Sequence, residues 1–356
     1  MKKKLFLGLL AAAAVTFTAC QKDEVINEVP QDQPIEFGTY VGRDAQTKGS
    51  IVETTQLEGQ GFGVYAYYTG TTAIEDYEFP ASPNFMNNVK VTKGDWDNNN
   101  ETEKTWGYTT QKYWPNTTDD KISFYAYGPY DSTPNGNTDF IQIATSAESA
   151  PVLTYTVDNN VTNHKDILFA VAQTDKSKTN DPITFTFQHA LSRIEFEIKT
   201  DIDYSNNPTI TLASVSLIGN IHPSGTLNLS ETSVNWNETA ATSKEFTITD
   251  TRTITSSQRA VKTTAESTND YIMIIPQAFE ADDDLKLKVV YKTTYTEPSL
   301  EVTNTVTSDD IDITFEQGKA YKFIITIGLD TVDFTASVTE WNDDHVGYTT
   351  GTAIGI

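Results

Sequence analysis

Closely spaced carboxylates are the residues of this sequence with the most obvious chemical potential, because hydrolysis of a glycosidic bond needs two carboxyl groups facing one cleft. They occur in four places: Asp119–Asp120, Asp282–Asp284, Asp309–Asp310 and Asp343–Asp344. Each pair lies in a polar stretch, which is typical of a solvated loop. We therefore interpret all four as surface charge and predict no catalytic dyad.

The stretch DWDNNNE places oxygen-bearing side chains at alternate positions, as a calcium-binding loop does: Asp95, Asp97, Asn99 and Glu101. Such a loop needs a glycine for its sharp turn, and this sequence has Asn100 there, with no helical pattern on either side. We predict a polar turn at this place, no metal site and no cofactor.

Four histidines are scattered along the chain without the spacing of metal ligands: His164, His189, His222 and His345. The sequence contains no serine-hydrolase, zinc-protease or phosphate-loop motif, so we predict that the protein is not an enzyme. His189 is the best placed of the four, within QHAL, and we expect it to be a hydrogen-bonded structural residue.

The tryptophans could stack on sugar rings, which makes glycan binding a function to consider. In a β-sandwich most of them would instead fill the core. The five tryptophans are Trp96, Trp106, Trp114, Trp236 and Trp341.

Cys20 is the only cysteine in the chain, so it cannot form an internal disulfide. It follows MKKK and an apolar run ending in Thr18 and Ala19, which is the layout of a secretory signal peptide over residues 1–19. The apolar run is shorter than the ~20 residues that span a bilayer. Its end resembles the lipobox of bacterial lipoproteins, which implies cleavage after Ala19 and diacylation of Cys20. An ordinary signal peptide with an incidental thiol is the alternative.

The residues after Cys20, QKDE, resemble the lysine–acidic signals that send some lipoproteins to the outer face of the outer membrane. The formal net charge is −24, and so acidic a surface repels both phosphate backbones and anionic lipid. We therefore predict no nucleic-acid partner, and we expect attachment to the membrane through the lipid.

The composition predicts an all-β protein with many short strands, because Thr, Tyr, Phe, Ile and Val are plentiful and turn residues recur throughout. Strand patterns include GFGVYAYYT, KISFYAYGPY, PVLTYTV and RIEFEIK, in which Ile194, Phe196 and Ile198 alternate with charged residues. The stretch 70–112 is polar and irregular. The regular spacing of the strands favours β-sandwiches with Greek-key connections.

A first strand is predicted over residues 34–42, where Ile35, Phe37, Thr39 and Val41 share one face. It stands alone, between a polar tether and the polar break GRDAQTKGS.

A second polar break, SKTNDP, is interpreted as a domain boundary. The division predicted is a signal peptide (1–19), a tether with the first strand (20–48), an N-terminal domain (49–182) and a C-terminal domain (183–356).

Several segments occur in an order that resembles the fimbrillin family, the lipoprotein precursors of type V pili. They are the lipoprotein start, FGVYAYY, YWP before ISFYAYGPY, DILFA, FTFQHALSRIEFEIK, YIMIIPQ and GKAYKFIITIGL with VDFTASVTEW. The resemblance spans nearly the whole mature chain. It implies two tandem transthyretin-like Greek-key β-sandwich domains and a structural or adhesive role without enzymatic activity.

The resemblance also implies a maturation route on the outer membrane. The lipidated precursor reaches the cell surface, a protease cuts after a basic residue, and the first strand leaves with the lipid. A segment of another pilus subunit then fills the exposed groove, so other pilus subunits are the expected partners. A role as shaft, anchor or tip stays open, and a glycan-binding surface lipoprotein is the alternative function.

The basic residues just after the predicted first strand are Arg43 and Lys48. A linker this polar and glycine-flanked is expected to be accessible to proteases. We predict cleavage after Arg43 or after Lys48, and a surface loop without processing is the alternative.

The C-terminal tail, NDDHVGYTTGTAIGI, is the candidate donor strand. From Val346 onward one face is bulky and partly apolar, the other is small, and no charge follows Asp344. The predicted donor residues are Val346, Tyr348, Ile354 and Ile356. A final strand that pairs within its own domain, or a frayed end, is the alternative.

Overall fold

Strands account for most of the described residues, which confirms the all-β class predicted from the composition. The computed structural model describes residues 32–41, 54–96, 104–133, 141–147, 149–201, 208–230, 235–263, 270–280, 285–328, 331–341 and 352–354. In this part of the chain, no helix is long and apolar enough to cross a membrane.

The first twelve strands are β1 (Phe37–Val41), β2 (Phe62–Gly70), β3 (Met86–Gly94), β4 (Thr105–Gly107), β5 (Lys121–Gly128), β6 (Ile141–Ala144), β7 (Val152–Thr156), β8 (Leu168–Ala170), β9 (Gln173–Lys176), β10 (Ile183–His189), β11 (Ser192–Thr200) and β12 (Thr209–Ile221). The other twelve are β13 (Ser224–Asn228), β14 (Trp236–Glu238), β15 (Thr242–Thr249), β16 (Arg259–Ala260), β17 (Ile272–Ile274), β18 (Gln277–Phe279), β19 (Lys286–Thr296), β20 (Ser299–Thr307), β21 (Ile313–Phe315), β22 (Lys319–Ile327), β23 (Val332–Glu340) and β24 (Thr352–Ile354). A seven-residue helix, α1 (Thr54–Gln60), precedes β2, and two single 3₁₀ turns cover Ile74–Asp76 and Val161–Asn163.

Seven strands close on themselves around one hydrophobic core. Their order is β2, β3, β4, β1, β10, β8 and β5, and the pairing of β5 with β2 closes the sheet. β9 extends this sheet from β5. The pairing of β1 with β10 is parallel, whereas the neighbouring pairings are antiparallel.

Alternation of side chains separates two cores. In β2, Phe62 and Val64 belong to the core inside the closed sheet, whereas Tyr65 and Tyr67 belong to a second, larger core. Successive side chains of a strand point to opposite faces, so β2 and β5 are buried on both sides. The larger core also holds Ile194 of β11, with the other inward residues of the following strands.

Several open sheets contribute to the larger core, and most of their strands come from the second half of the chain. One runs in the order β16, β11, β22, β23 and β24, with β17 also paired to β11. A second has the order β15, β12, β19 and β20, a third has the order β14, β13, β7 and β6, and β18 pairs with β21.

Strands on both sides of the predicted boundary at 182/183 share sheets. β10 begins at Ile183 and pairs with β1 and β8 of the closed sheet, and β13 of the second half pairs with β7 of the first. The described residues from Gln33 onward lie in one compact unit. The division into two domains therefore stays a prediction.

The expectation of irregular structure over 70–112 was wrong for two segments, since β3 and β4 lie within it. Met86 and Val91 supply the buried side chains of β3, and the residues between them are mostly polar and partly exposed. So sparse an apolar pattern does not mark a strand in the sequence. The short helix α1 is a further element that the sequence pattern did not predict.

Candidate functional site

β1 is held along one edge by β10. The two strands run parallel, with Phe37 opposite Ile183 and Val41 opposite Phe187. The backbone N–H of Ile183 also donates to the carbonyl of Glu36 at 2.8 Å. The pairing with β10 therefore extends over the whole length of β1.

The other edge of β1 is held by β4 and the segment that follows it. The backbone N–H of Ile35 donates to the carbonyl of Lys112, and that of Trp114 donates to the carbonyl of Gln33, both at 2.9 Å. The hydroxyl of Tyr108 donates to the carbonyl of Ile35 at 2.9 Å. Residues 33–37 thus have backbone partners on this edge, and residues 36–41 have them on the edge formed by β10.

Two side chains of this segment point into the closed core. Ile35 is fully buried, and Phe37 is 4% exposed. Burial of side chains of this size stabilises the fold by about 1.5–3 kcal/mol each. The ring of Phe37 contacts four aromatic rings with centroids 5.4 to 6.4 Å away: Phe62, Tyr108, Phe124 and Phe185.

We call the surroundings of residues 33–41 the first-strand groove: its walls are β10 on one side and β4 with Tyr108–Trp114 on the other, and its floor carries Phe62, Phe124 and Phe185. Without β1, both walls would present unpaired backbone groups and the floor would present aromatic surface. An extended chain with alternating apolar side chains can pair with the backbone groups of both walls and cover the aromatic surface of the floor.

Where the acidic pairs are described, their carboxylates contact single polar side chains, and Asp120 is buried, so the prediction of surface charge was wrong for this residue. Asp120 accepts a hydrogen bond from the hydroxyl of Tyr68 at 2.8 Å, and Asp310 forms an ion pair with Lys286 at 3.0 Å. Among the described residues, no three His, Cys, Asp or Glu side chains are grouped so that they could hold a metal ion. The following candidates lie outside the described residues: Asp97, Asn99, Glu101, Asp282, Asp284, Asp343, Asp344 and His345.

His189 is a hydrogen-bonded structural residue, as expected from the sequence. Its Nδ1 lies 2.9 Å from Oδ2 of Asp166, and both side chains are buried. Its ring stacks on the indole of Trp341, with centroids 4.2 Å apart. The guanidinium of the buried Arg193 lies 5.3 Å from the same indole and 4.8 Å from the ring of Tyr271. No sequence pattern joins these residues, because they are distant along the chain.

Most of the tryptophans fill the core, as predicted. Trp114, Trp236 and Trp341 are buried, and Trp106 is half-buried against the closed core. Trp96 is 37% exposed, and its indole Nε1 donates to the carbonyl of Thr92.

The predicted processing and donor residues fall mostly outside the described residues. These are Cys20, Arg43, Lys48, Val346, Tyr348 and Ile356. Ile354 lies in β24, which pairs antiparallel with β23, Ile354 being opposite Ala336.

A sequence profile described as fimbrillin-like matches residues 50–341 of this chain. The chain is 27% identical to the fimbrium subunit Fim1C of Phocaeicola vulgatus, over 94% of this chain and 96% of that protein.

Two solved structures show a similar fold. A fimbrial protein from Bacteroides vulgatus superposes with a TM-score of 0.66 at 21% identity, covering 87% of this chain and 100% of that one. A candidate cell adhesion protein from Bacteroides uniformis superposes with a TM-score of 0.50 at 18% identity, covering 87% of this chain and 99% of that one. Because the profile matches most of the chain, this protein belongs to the fimbrillin-like family of structural, non-enzymatic proteins.

Proposed function

We propose that this protein is a structural and adhesive subunit of a type V fimbrium, exported as an outer-membrane lipoprotein and assembled by proteolysis and strand exchange. The observation that carries the proposal is the position of β1. It lies between β4 and β10 in the closed sheet, yet it is joined in sequence to the rest of that sheet only through residues 42–53, which are mostly polar.

In this proposal Cys20 carries the lipid and residues 21–32 tether the subunit to the outer membrane. Arg43 and Lys48 both lie after the end of β1 and before the start of α1. A cut after either residue would separate β1 from every other strand without removing any residue that lines the first-strand groove.

The precursor needs β1 for a physical reason. A sheet that lacks one interior strand exposes unpaired N–H and C=O groups and an apolar trough, which invites uncontrolled pairing. A covalently attached strand keeps the groove filled during export. Its removal at the cell surface would open the groove where a neighbouring subunit can supply a replacement by β-augmentation.

Two tandem transthyretin-like domains, with a boundary near 182/183, remain part of the proposal. The relative named as a fimbrium subunit and the solved fimbrial protein support the assignment to a surface fimbrium. Other fimbrial subunits are the partners that the assignment requires.

The test uses the chain from Cys20 to Ile356 with Cys20→Ser, so that no lipid is attached. Limited digestion with a protease specific for Arg and Lys should convert it to a form that begins at Asp44 or Gly49 and builds SDS-resistant ladders. The matched control carries Arg43→Gln and Lys48→Gln and should stay monomeric. A wild-type chain that is cut in this linker, loses β1 and remains monomeric contradicts the proposal.

A further inference from the structure

We propose that the outer face of the closed sheet binds a neutral glycan, whose sugar rings stack on the indole of Trp96 and on the ring of Tyr113. The inference rests on the adhesive role within the proposed function, and it adds the site and the class of ligand. It requires neither the removal of β1 nor strand exchange.

The indole of Trp96 lies on the backbone of the β3–β4 pair. A Cβ at Gly107 would lie 2.4 Å from Cγ, 2.5 Å from Cδ2 and 2.7 Å from Cδ1 of this indole, so the ring lies flat in the space that a larger residue would fill. A Cβ at Gly94 would lie 3.3 Å from the indole Nε1. That nitrogen donates to the carbonyl of Thr92 at 2.9 Å. The sheet therefore covers one face of the ring and fixes its position.

The other face of this indole is open to solvent. Trp96 is 37% exposed although one side of its ring contacts the sheet. A ring that is already fixed loses little conformational entropy when a ligand covers it. The C–H groups on one side of a pyranose ring form a flat apolar surface, and its hydroxyls point outward at the edge. The open indole suits such a surface, because it offers a large apolar area without a pocket.

Tyr113 lies on the same outer face of the closed sheet. The ring of Trp106 packs against the closed core, and Trp114 is buried in that core. Successive side chains of an extended chain point to opposite faces, so the neighbours of these two residues, Gly107 and Tyr113, face outward. Tyr113 is 46% exposed. Two exposed aromatic rings therefore share one face.

The register with β1 sets the separation of the two rings. Trp106 is opposite Phe37, and Tyr113 is opposite Pro34. Gly107 therefore lies beside position 36, two residues from Pro34, which is about 7 Å at ~3.3 Å per residue. A short oligosaccharide can span this distance and stack one sugar on each ring.

The surroundings of the two rings are polar. Within the described residues between Met86 and Trp114, they are the only large apolar side chains that are exposed. The other exposed residues of this region are Asn87, Lys90, Asp95, Lys104, Thr105, Thr109, Thr110 and Gln111. A protein partner needs a contiguous apolar patch, which isolated rings do not supply. Separate rings among hydroxyl, amide and charged groups instead suit a ligand that alternates apolar faces with hydroxyls.

The charge of the protein favours a neutral glycan. The formal net charge of −24 repels sulfated and carboxylated polysaccharides. Two lysines of β3 already have partners, since Lys93 forms an ion pair with Glu58 and the ammonium of Lys90 lies 5.1 Å from the ring centroid of Tyr130. Uncharged sugars require no cationic partner.

Affinity electrophoresis of the undigested chain with Cys20→Ser tests the site. Native gels contain xyloglucan, galactomannan or pectic galactan as neutral probes, and chondroitin sulfate as the anionic probe. Trp96→Ala removes the first ring and Tyr113→Ala the second, whereas Gly107→Ala keeps the indole but displaces it from the sheet. The matched control is Tyr295→Ala, because Tyr295 is also 37% exposed but lies on β19. Thermal melting of each variant checks its fold.

We expect at least one neutral probe to retard the protein, and Trp96→Ala to raise the dissociation constant at least about tenfold. Gly107→Ala and Tyr113→Ala should also weaken binding, Trp96→Phe should restore part of it, and Tyr295→Ala should leave it unchanged. Retardation by none of the neutral probes, retardation by chondroitin sulfate alone, or unchanged binding in a folded Trp96→Ala variant overturns the site. Ladder formation after digestion is measured separately, so the proposed assembly can stand or fail without this site.

Discussion

The imidazole of His189 lies flat against the indole of Trp341, with centroids 4.2 Å apart and ring planes within 5° of each other. His189 ends β10, which forms one wall of the first-strand groove. Trp341 directly follows β23, the last long strand before the tail, and its backbone N–H donates to the carbonyl of Gly318 at 2.8 Å. The stack therefore links the groove of a subunit to the point from which its own tail departs.

Replacement of Trp341 should strongly destabilise the subunit. Trp341→Ala removes a buried ring that packs on His189 and Arg193, and large-to-small changes of this kind cost about 3–5 kcal/mol. Urea denaturation measures the free energy of unfolding. The control is Trp96→Ala, at a site that is 37% exposed, which should cost far less. Equal losses for the two variants would show that the stack does not matter for the fold.

Replacement of Phe37 should weaken the precursor but not the assembled form. Phe37→Ala leaves a cavity among four aromatic rings and should lower the free energy of unfolding of the precursor by about 3–5 kcal/mol. After removal of β1 the variant and wild-type subunits have the same sequence, so their ladders should resist SDS equally. Glu36→Ala, at an exposed site, is the control for the precursor. A Phe37→Ala precursor as stable as wild type would mean that β1 is not held as described.

His164 should make the fold sensitive to mild acid. The N–H of Met273 donates to its Nδ1 at 2.9 Å, and its Nε2 lies 2.7 Å from the carbonyl of Asp158, so the proton of the neutral ring is on Nε2. Burial is the main cause that lowers the pKa of His164 below its usual 6.5. Below pH 6.5 the unfolded chain therefore binds a proton that the folded chain does not, and stability falls as the pH falls.

The measurement is the free energy of unfolding between pH 7.5 and 5. We expect His164→Gln to be less stable than wild type at pH 7.5 but to lose less stability on acidification. His222→Gln, at a site that is not buried, should keep the wild-type slope. An unchanged slope in His164→Gln would contradict this assignment.

Asp250 should stabilise the loop that follows β15 until the pH becomes very low. Burial alone would raise its pKa, but hydrogen bonds from Arg252, from the backbone of Lys262 and from Arg259 lower the pKa to about 2. Its Oδ2 lies 2.6 Å from Nη2 of Arg252 and 2.7 Å from Nη1 of Arg259. The stabilisation is present above the usual pKa of 3.8 and is lost as the pH falls toward 2.

Asp250→Asn should lower the free energy of unfolding by about 2 kcal/mol at pH 7, because two arginines lose a charged acceptor. The difference from wild type should shrink between pH 4 and 2. Asp310→Asn, which breaks an exposed pair with Lys286, should cost less than about 1 kcal/mol. A difference between Asp250→Asn and wild type that does not change with pH would rule out the charged carboxylate as its cause.

Local patterns in the sequence predicted the strands whose two faces differ strongly. Ile35 and Phe37 were placed on one buried face of β1, and the alternation of Ile194, Phe196 and Ile198 predicted β11. Such a pattern is visible because side chains of a strand alternate between core and solvent. β3 lacks that signal, since much of it is polar, and its pairing with β2 and β4 is not visible in the local sequence.

Contacts between residues that are distant along the chain could not be predicted from local sequence patterns. The sequence gives no sign that His189 meets Trp341, or that β5 returns to β2 and closes the first sheet. The closed sheet is what gives β1 two neighbours, and it turns a predicted strand into a candidate acceptor site. The first-strand groove is formed by strands that are distant along the chain, so it can be identified only in the folded structure.

The most direct test is to determine the N-terminal residue and the peptide content of the subunit in assembled fimbriae. Fimbriae sheared from producing cells should contain this chain with Asp44 or Gly49 at its N-terminus, and mass spectrometry should find peptides of α1 and β2 but none from residues 34–41. The precursor in the membrane fraction supplies the control, because it should contain residues 34–41. Fimbriae whose subunits retain residues 34–41 would contradict the account, since β1 would then still occupy the first-strand groove.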